Sequence, residues 1–326
     1  MSTLLVTGGA GYIGSHVAWA LVDAGHHVVI LDNLSTGVRE NIPPQARLVI
    51  GDVGDAVLLK RLFTNHTVDA ILHFAGSIVV PESVENPLKY YDNNTTRTRT
   101  LLEAAVTAGV PRFVFSSTAA VYGEPAHLPV TEDSPTRPIN PYGRSKLMTE
   151  WMLEDVSRAH PLNYVALRYF NVAGADPAGR TGQSTPQATH LIKVACQLAT
   201  GQRESMAIFG TDYPTDDGTC VRDYIHVSDL ADAHLRALEF LAEHKTSAVF
   251  NCGYGHGYSV RQVVSAVERV VGKKLNVTQS PRRAGDPPEL ISDPTRLRQA
   301  TGWEPRHDDL ETIVKSALDW EAQTRA

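Results

Sequence analysis

The sequence predicts an α/β fold in which a doubly wound parallel sheet is joined by a smaller α/β domain. Short apolar runs alternate with helical stretches through the first half of the chain. Each run is nearly continuous, as is typical of strands that are covered on both faces. The length of 326 residues also exceeds that of one typical domain, which leaves room for a second one.

Six strands and four helices are predicted in the first half. The strands are residues 4–7, 28–32, 47–50, 70–74, 113–117 and 164–169. The helices are residues 12–24, 56–64, 94–108 and 141–159. Because helices separate the strands, we expect parallel strands joined by crossover helices.

The second half has shorter elements and more proline and glycine, and it begins at residues 174–179 (GADPAG). We therefore predict one domain at 1–176 and a second at 177–326, and we allow segments of the second half to return to the first domain. Its candidate helices are residues 188–199, 227–244, 260–271 and 310–322.

The composition excludes several classes of function. A net charge of −6 argues against a nucleic-acid binder, which needs a basic surface. Three cysteines without a Cys-x-x-Cys pair, and histidines without metal-ligand spacing, predict neither a disulfide framework nor a metal site. The first apolar run is too short for a signal peptide or a membrane span. We therefore expect a cytoplasmic protein with reduced thiols that binds no metal, membrane or nucleic acid.

A glycine-rich segment, residues 8–14 (GGAGYIG), connects the first strand to the first helix. The spacing Gly8-x-x-Gly11-x-x-Gly14 in this context indicates a Rossmann-type dinucleotide site, where a diphosphate lies against the helix N-terminus. A simple glycine-rich turn is the alternative. Asp32 favours the dinucleotide, because it ends the second strand, where a carboxylate binds the adenosine ribose of NAD and repels the extra phosphate of NADP.

Three further polar residues follow the second and third strands. Asn33 and Ser35 either assist Asp32 or cap the turn in which they lie. Asp52 either contacts the adenine or forms the N-cap of the next helix.

Tyr142 and Lys146 form a Tyr-x-x-x-Lys pair, which places both side chains on one face of the predicted helix 141–159. A phenol titrates near pH 10, so we expect a nearby ammonium and the charge of the nicotinamide to lower the pKa of Tyr142 and make it a base. Lys146 can also bind the nicotinamide ribose. Thr118, at the end of the fifth strand, is the candidate partner for the reacting hydroxyl. A surface pair of tyrosine and lysine is the alternative.

Segments spread over almost the whole chain resemble the UDP-glucose 4-epimerase family, which belongs to the extended short-chain dehydrogenases/reductases. These segments are residues 7–16, 32–34, 73–76, 90–94, 116–118, 141–146, 168–171, 208–219, 221–227 and 281–286. The last three belong to the nucleotide-sugar half of the family, so the resemblance extends beyond the cofactor motif.

The motifs and the resemblance together imply two sets of binding residues. The predicted NAD contacts are Gly8, Gly11, Tyr12, Ile13, Gly14, Asp32, Asn33, Asp52, Val53, Phe74, Ala75, Gly76, Asn93, Ser116, Tyr142, Lys146 and Tyr169. The predicted substrate contacts are Thr118, Tyr142, Asn171, His190, Phe209, Arg222, Arg283, Asp286 and Leu290.

Among the substrate residues, the resemblance gives Asn171 to the sugar or diphosphate, and Arg222 and Arg283 to the diphosphate, whose oxygens suit guanidinium groups. It gives Asp286 to the uridine ribose and Phe209 to the uracil. An internal ion pair between Arg222 and its neighbour Asp223 is the alternative for that arginine.

The chain departs from the family pattern at two positions. Ile78 stands where many members have a lysine that reaches the cofactor ribose, so one NAD contact is lost or replaced. His190 lies in a segment (THLIK) that usually has two asparagines, and we expect it to take over an amide's contact to the diphosphate or uridine.

The resemblance implies a homodimer, built from helices 94–108 and 141–159, that interconverts UDP-glucose and UDP-galactose through a 4-keto sugar with NAD. Related dehydratases and decarboxylases have acidic residues where this chain has Ala119 and Ala120, which disfavours elimination. Epimerisation of UDP-N-acetylhexosamines, UDP-pentoses or UDP-uronates stays open, as does a non-catalytic NAD-sensing protein.

Overall fold

A computed structural model describes residues 1–185, 188–283 and 286–323. Its strands are β1 (Thr3–Thr7), β2 (His27–Asp32), β3 (Arg47–Ile50), β4 (Ala70–His73), β5 (Arg112–Thr118), β6 (Asn163–Tyr169), β7 (Asn171–Ala173), β8 (Met206–Phe209), β9 (Val221–Arg222), β10 (Tyr224–His226), β11 (Ala248–Cys252), β12 (Tyr258–Ser259), β13 (Val277–Ser280) and β14 (Glu289–Leu290).

The α-helices are α1 (Tyr12–Asp23), α2 (Ala56–Asn65), α3 (Val80–Glu85), α4 (Pro87–Tyr90), α5 (Arg97–Thr107), α6 (Pro141–Ala159), α7 (Leu191–Ala199), α8 (Val227–His244), α9 (Val260–Val271), α10 (Thr295–Thr301) and α11 (Leu310–Gln323). Among the described residues, none of these helices is both long and apolar enough to cross a membrane.

Within the described part of the chain, seven parallel strands form the central sheet in the order β11-β6-β5-β4-β1-β2-β3. The predicted fold class is therefore confirmed. Strands β2 and β3 follow β1 on one side of the sheet, and β4, β5 and β6 follow on the other. The order therefore reverses between β1 and β4, whose carboxyl ends lie side by side at the point where ligands bind in such sheets.

The apolar strands form because both faces of the sheet are covered. Along β1, Leu4 and Val6 belong to one buried cluster and Leu5 to another on the opposite face, as the period of two in a strand requires. The cluster that contains Leu4 continues into the second half of the chain, where it includes Val263 and Ile313. Helices α7, α9 and α11 pack against one another there.

Two segments beyond residue 176 return to the central sheet. Strand β11 pairs with β6, with Phe250 opposite Leu167, and α8 packs against α1. Smaller sheets lie outside: β7 pairs with β10, β8 with β13, and β9 lies between β12 and β14. The domain boundary at residue 176 remains a prediction, since β11 and α8 follow it in sequence but pack with elements of the first half.

Most predicted elements of the first half agree with the structure within about two residues. One predicted helix in each half differs. The helix predicted at 94–108 is a π-helical turn at Tyr91–Thr96 that leads into α5. The helix predicted from residue 188 begins only at Leu191.

Candidate active site

The turn between β1 and α1 accepts only glycine at two of its positions. Gly8 has a φ of +70°, and a Cβ added there would lie 2.6 Å from the backbone nitrogen of Ala75. A Cβ on Gly14 would lie 2.2 Å from the carbonyl oxygen of Gly8. Gly11 is the N-cap of α1, and no side chain of the described residues caps it. The helix N-terminus is therefore open to an anion, which fits the diphosphate of NAD.

Asp32 is held at the edge of this turn by two backbone groups. The N–H of Ala10 donates to its Oδ2 at 2.9 Å, and the N–H of Leu34 donates to its Oδ1 at 2.8 Å. Asn33 accepts from the N–H of Ser35 at 3.0 Å and donates to Asp52 at 3.1 Å. Asn33 therefore caps its own turn and also links the ends of β2 and β3.

Asp52 is not the N-cap of the following helix, so that alternative is wrong. Asp55 caps α2 by accepting from the N–H groups of Val57 and Leu58. Asp52 instead accepts from the N–H of Gly54 at 2.8 Å and pairs with Arg97 at 2.5 Å.

We did not single out Arg97 from the sequence. It begins α5, 45 residues from Asp52, and it also pairs with Asp92 at 2.9 Å. No local pattern signals such a contact, because the π-helical turn before α5 sets the direction of its side chain.

The remaining predicted cofactor residues border the same edge of the sheet. Ile13 packs against the core and Val53 is buried. The Phe74 ring lies 4.9 Å from that of His234, and Asn93 donates to the hydroxyl of Ser77 at 2.9 Å. Ile78, at the position where a lysine was expected, is 47% exposed.

Lys146 is buried, with 2% of its surface exposed, so the alternative of a surface pair is wrong. Its Nζ donates to the carbonyl oxygen of Ser116 at 2.9 Å and lies 5.0 Å from the centre of the Phe115 ring. A Cβ on Gly76 would lie 3.6 Å from the same Nζ. Burial lowers the pKa of Lys146 to about 8.

The side chain of Thr118 neighbours the phenol of Tyr142. Burial raises the pKa of this phenol, and the Thr118 hydroxyl acts in the opposite direction. The lowering expected from the ammonium together with the charge of the nicotinamide stays a prediction, because that charge belongs to the cofactor. Burial also raises the pKa of Tyr169.

Asn94 is a second residue that we missed. Its Nδ2 donates to the hydroxyl of Ser145 at 3.0 Å and to the carbonyl oxygen of Ser77 at 2.9 Å, while its Oδ1 accepts from the N–H of Ser77 at 2.7 Å. It thus ties the loop after β4 to α6 beside Lys146. The Asn93-Asn94 doublet was a visible signal, but only its first member had been assigned.

Two small sheets each place some of the predicted substrate residues side by side. Strands β8 and β13 place the Arg283 guanidinium 3.9 Å from the centre of the Phe209 ring. Strands β9 and β14 align Arg222 with Leu290, and Arg222 pairs with Asp286 at 3.3 Å. Two residues of the motif at 281–286, Ala284 and Gly285, lie outside the described residues.

The alternative of an ion pair between Arg222 and Asp223 is wrong. Asp223 is buried and accepts from the N–H groups of Tyr254 and Gly255 at 2.9 and 3.1 Å. It also accepts from the hydroxyl of Ser292 at 2.6 Å. Asp223 therefore organises the backbone behind the site and leaves Arg222 to face Asp286.

Asn171 and His190 line one cleft with Tyr12. Asn171 lies at the start of β7 and His190 directly before α7, so both border the cleft beside the cofactor turn. The hydroxyl of Tyr12 donates to the carbonyl oxygen of Gly174 at 2.6 Å, which joins the two halves at this point.

Residues 4–253 match the sequence profile of the NAD-dependent epimerase/dehydratase family. The chain belongs to this family. A UDP-glucose 4-epimerase of Azospirillum brasilense is 62% identical over 318 residues, which cover 98% of this chain and 91% of the relative.

Solved structures of family members agree with this assignment. UDP-glucose 4-epimerase from Brucella ovis in complex with NAD superposes with a TM-score of 0.94 at 44% identity, over 98% of each chain. The enzyme from Bifidobacterium longum in complex with NAD+ and UDP superposes with a TM-score of 0.94 at 37% identity, over 99% of each chain. The family resemblance found in the sequence is therefore confirmed.

Proposed function

We infer that this epimerase-family chain interconverts UDP-glucose and UDP-galactose by transient oxidation at C4 of the sugar, with NAD as cofactor. The observation that carries the inference is the buried ammonium of Lys146. It lies four residues after Tyr142 on α6 and donates to the carbonyl oxygen of Ser116, two residues before Thr118. The names of the relatives support the choice of substrate.

The residues around the glycine turn fit NAD. We propose that α1 binds the diphosphate through its N-terminus, and that Asp32 binds the adenosine ribose and excludes NADP. Lys146 lies where it can hold the nicotinamide ribose. When bound, NAD takes a hydride from C4 of the sugar and later returns it to the opposite face.

The proton transfer falls to Tyr142 and Thr118. We propose that Tyr142 removes the proton from O4 and that the neighbouring Thr118 holds this sugar hydroxyl through a hydrogen bond. A cation near the ring lowers the pKa of a phenol, so the ammonium of Lys146 assists the phenolate when a further positive charge is present.

Most of the proposed nucleotide residues belong to the second half of the chain, whereas Tyr142 and Thr118 belong to the first. We propose that Arg222, Arg283 and Asn171 hold the diphosphate, that His190 assists them, and that Asp286 holds the uridine ribose. The Phe209 ring, covered by Arg283, supports the uracil. Such anchoring leaves the 4-keto sugar free to turn about its bond to the diphosphate while the nucleotide stays in place.

The two residues that follow Thr118, Ala119 and Ala120, bear no acid for the competing elimination. Ala119 is buried in an apolar cluster with Phe170 and Leu290, where a carboxylate would be costly. This environment favours epimerisation over dehydration.

Leu290 is the proposed gate for the size of the sugar. It is 8% exposed and packs in the cluster that contains Ala119, one residue after Thr118. Members restricted to unmodified hexoses tend to have a bulky tyrosine here, so leucine lowers the barrier to a 2-acetamido group. We predict that UDP-galactose is preferred and that UDP-N-acetylgalactosamine reacts at a rate that is roughly ten- to two-hundred-fold lower.

Measurement of kcat/KM for both sugars in the wild type and in Leu290→Tyr checks this prediction. The tyrosine variant should widen the ratio by at least tenfold, which is the size of effect expected for an apolar difference of this kind. An unchanged ratio would show that Leu290 is not the gate.

The homodimer also belongs to the proposal. Helix α6 exposes Trp151 and Met148, at 54% and 39%, on a surface that would be covered in a dimer of α5 and α6. A monomeric mass by light scattering at micromolar concentration would contradict this. The three free cysteines are buried, which fits the reducing cytoplasm that we propose as its location.

The activity itself is tested by incubating the purified protein with UDP-galactose as the sole sugar nucleotide. We expect UDP-glucose to appear without net consumption of added NAD, because the hydride returns to the sugar. If UDP-glucose forms neither with nor without added NAD, the proposed function is wrong.

A further inference from the structure

A buried ion pair lies directly behind the candidate catalytic residues. Glu150 of α6 and Arg168 of β6 approach to 2.6 Å, with side chains that are 5% and 7% exposed. The desolvation of two charges largely offsets their attraction, so such a pair adds little net stability compared with apolar residues of similar size. Stability alone does not account for its presence at this place.

Glu150 continues the face of α6 that bears the catalytic pair. Tyr142, Lys146 and Glu150 follow one another at intervals of four residues, so their side chains lie along one side of the helix with a rise of about 6 Å between them. A group that fixes Glu150 therefore also fixes the rotation of the helix at Tyr142.

Strand β5 is bonded to two of these residues and neighbours the third. The carbonyl of Ser116 accepts from Lys146, and the hydroxyl of Ser117 donates to Glu150. The next residue, Thr118, neighbours Tyr142. The ion pair thus holds α6 against β5 about one turn of helix beyond Lys146.

Arg168 is fixed just as firmly as its partner. It lies directly opposite Ser117 in the register of β5 and β6. Its Nη1 donates to the hydroxyl of Tyr122 at 3.0 Å, and that hydroxyl donates to Asn251 at 2.6 Å. The guanidinium therefore has little freedom to follow a movement of α6.

We propose that Glu150, held by Arg168, is a positioning residue that fixes α6 against β5 and so sets the separation of Tyr142 and Thr118. This proposal rests on the proposed function, because it concerns the proton transfer in that reaction. A displacement of about 1 Å between reacting groups can cost on the order of a hundredfold in rate.

The variant Ser117→Ala tests the link most cleanly, because it removes the bond from β5 to Glu150 and leaves the ion pair intact. We expect kcat to fall at least tenfold while KM for UDP-galactose stays within twofold, since the nucleotide residues lie on the second half of the chain. Ser83→Ala is the matched control. It removes another fully buried serine hydroxyl, which bonds only to Val80 within α3, and kcat should stay within twofold.

A double-mutant cycle with Glu150→Gln distinguishes a positioning role from a general loss of packing. If Ser117 and Glu150 act through the same contact, kcat of Ser117→Ala/Glu150→Gln should be no lower than that of the slower single variant. A kcat of Ser117→Ala within twofold of the wild type, a proportional change of kcat and KM, or additive losses in the double variant would overturn the proposal. If Glu150→Gln does not fold, the Ser117→Ala comparison decides alone.

The wild type is assayed first in the same conditions. Absence of UDP-glucose formation by the wild type would mean that the proposed function fails. An active wild type with an equally active Ser117→Ala variant would mean that only the positioning role fails.

Discussion

Tyr142 and Lys146 have pKa values that the fold shifts in opposite directions. Burial lowers the pKa of Lys146 to about 8 and raises that of Tyr142 above its ordinary value. At neutral pH the phenol therefore holds its proton and the ammonium is mostly charged. A positive charge near the ring lowers the pKa of a phenol, so we expect the oxidised cofactor to assist proton removal.

The substitution Tyr142→Phe removes the phenol and keeps the ring. We expect NAD and UDP-sugar to bind within about threefold of the wild type, because the Asp32 and Arg222 regions are untouched, while kcat falls by two to four orders of magnitude as the general base is lost. Binding is measured by calorimetry and turnover with UDP-galactose. Turnover within tenfold of the wild type would mean that another group is the base.

Among single residues, those that lie in a short sequence pattern could be predicted from the sequence. Tyr142 and Lys146 are four residues apart on a helix, and Thr118 ends a strand. Arg97 and Glu150 gave no such signal, because their partners lie 45 and 18 residues away in sequence. Long-range pairing depends on how the elements pack, which a single sequence does not encode as a short pattern.

Among the elements, the long apolar strands and amphipathic helices were predictable, whereas short strands and the π-helical turn were not. Strands β9, β12 and β14 have two residues each, too few to show a period of two. The π-helical turn Tyr91–Thr96 gave an ordinary helical pattern, yet it determines where Asn94 and Arg97 point.

The turn between β1 and α1 allows an element-scale prediction. Gly14→Ala would place a methyl group 2.2 Å from the Gly8 carbonyl oxygen, which is backbone and cannot move cheaply. We expect NAD affinity to fall at least tenfold as the first turn of α1 shifts away from the diphosphate.

Gly109→Ala is the control for that experiment. Gly109 has a φ of +71° but nothing within 4 Å of an added Cβ, so its substitution costs stability through strain without touching the cofactor turn. Equal NAD affinity in Gly14→Ala and the wild type would show that the turn does not hold the diphosphate.

Over the whole molecule, four buried histidines link stability to pH. Burial lowers the pKa of His16 and His234 to about 4, and that of His73 and His226 to about 3. The unfolded chain takes up these protons near pH 6.5, whereas the folded chain does so only near pH 3–4. The unfolded state therefore binds more protons in this window, and the free energy of unfolding falls as the pH falls from about 6.5 towards 4.

Urea titrations at several pH values between 7.5 and 4.5 measure this fall. His73→Gln should reduce the slope by about one proton, because the residue it replaces is buried between Thr7 and Thr98. A slope that is the same in His73→Gln as in the wild type would contradict the assignment.

The return of β11 and α8 to the central sheet explains why the second half could be predicted less well than the first. Its chain alternates between completing the nucleotide-binding sheet and building small sheets for the substrate, so no single pattern runs through it. The two halves share one buried cluster, which joins strand residues of the first half, such as Leu4, to residues of the second, such as Tyr224 and Val263.

The central claim is that the sugar is oxidised and reduced again at C4 within one site. The most direct measurement uses UDP-galactose with deuterium at C4 and follows the UDP-glucose product by NMR spectroscopy and mass spectrometry. The account predicts that deuterium is retained at C4 of UDP-glucose and that no solvent hydrogen enters, since the same hydride leaves and returns. Loss of deuterium to solvent, or a product that lacks the C6 hydroxyl, would contradict it.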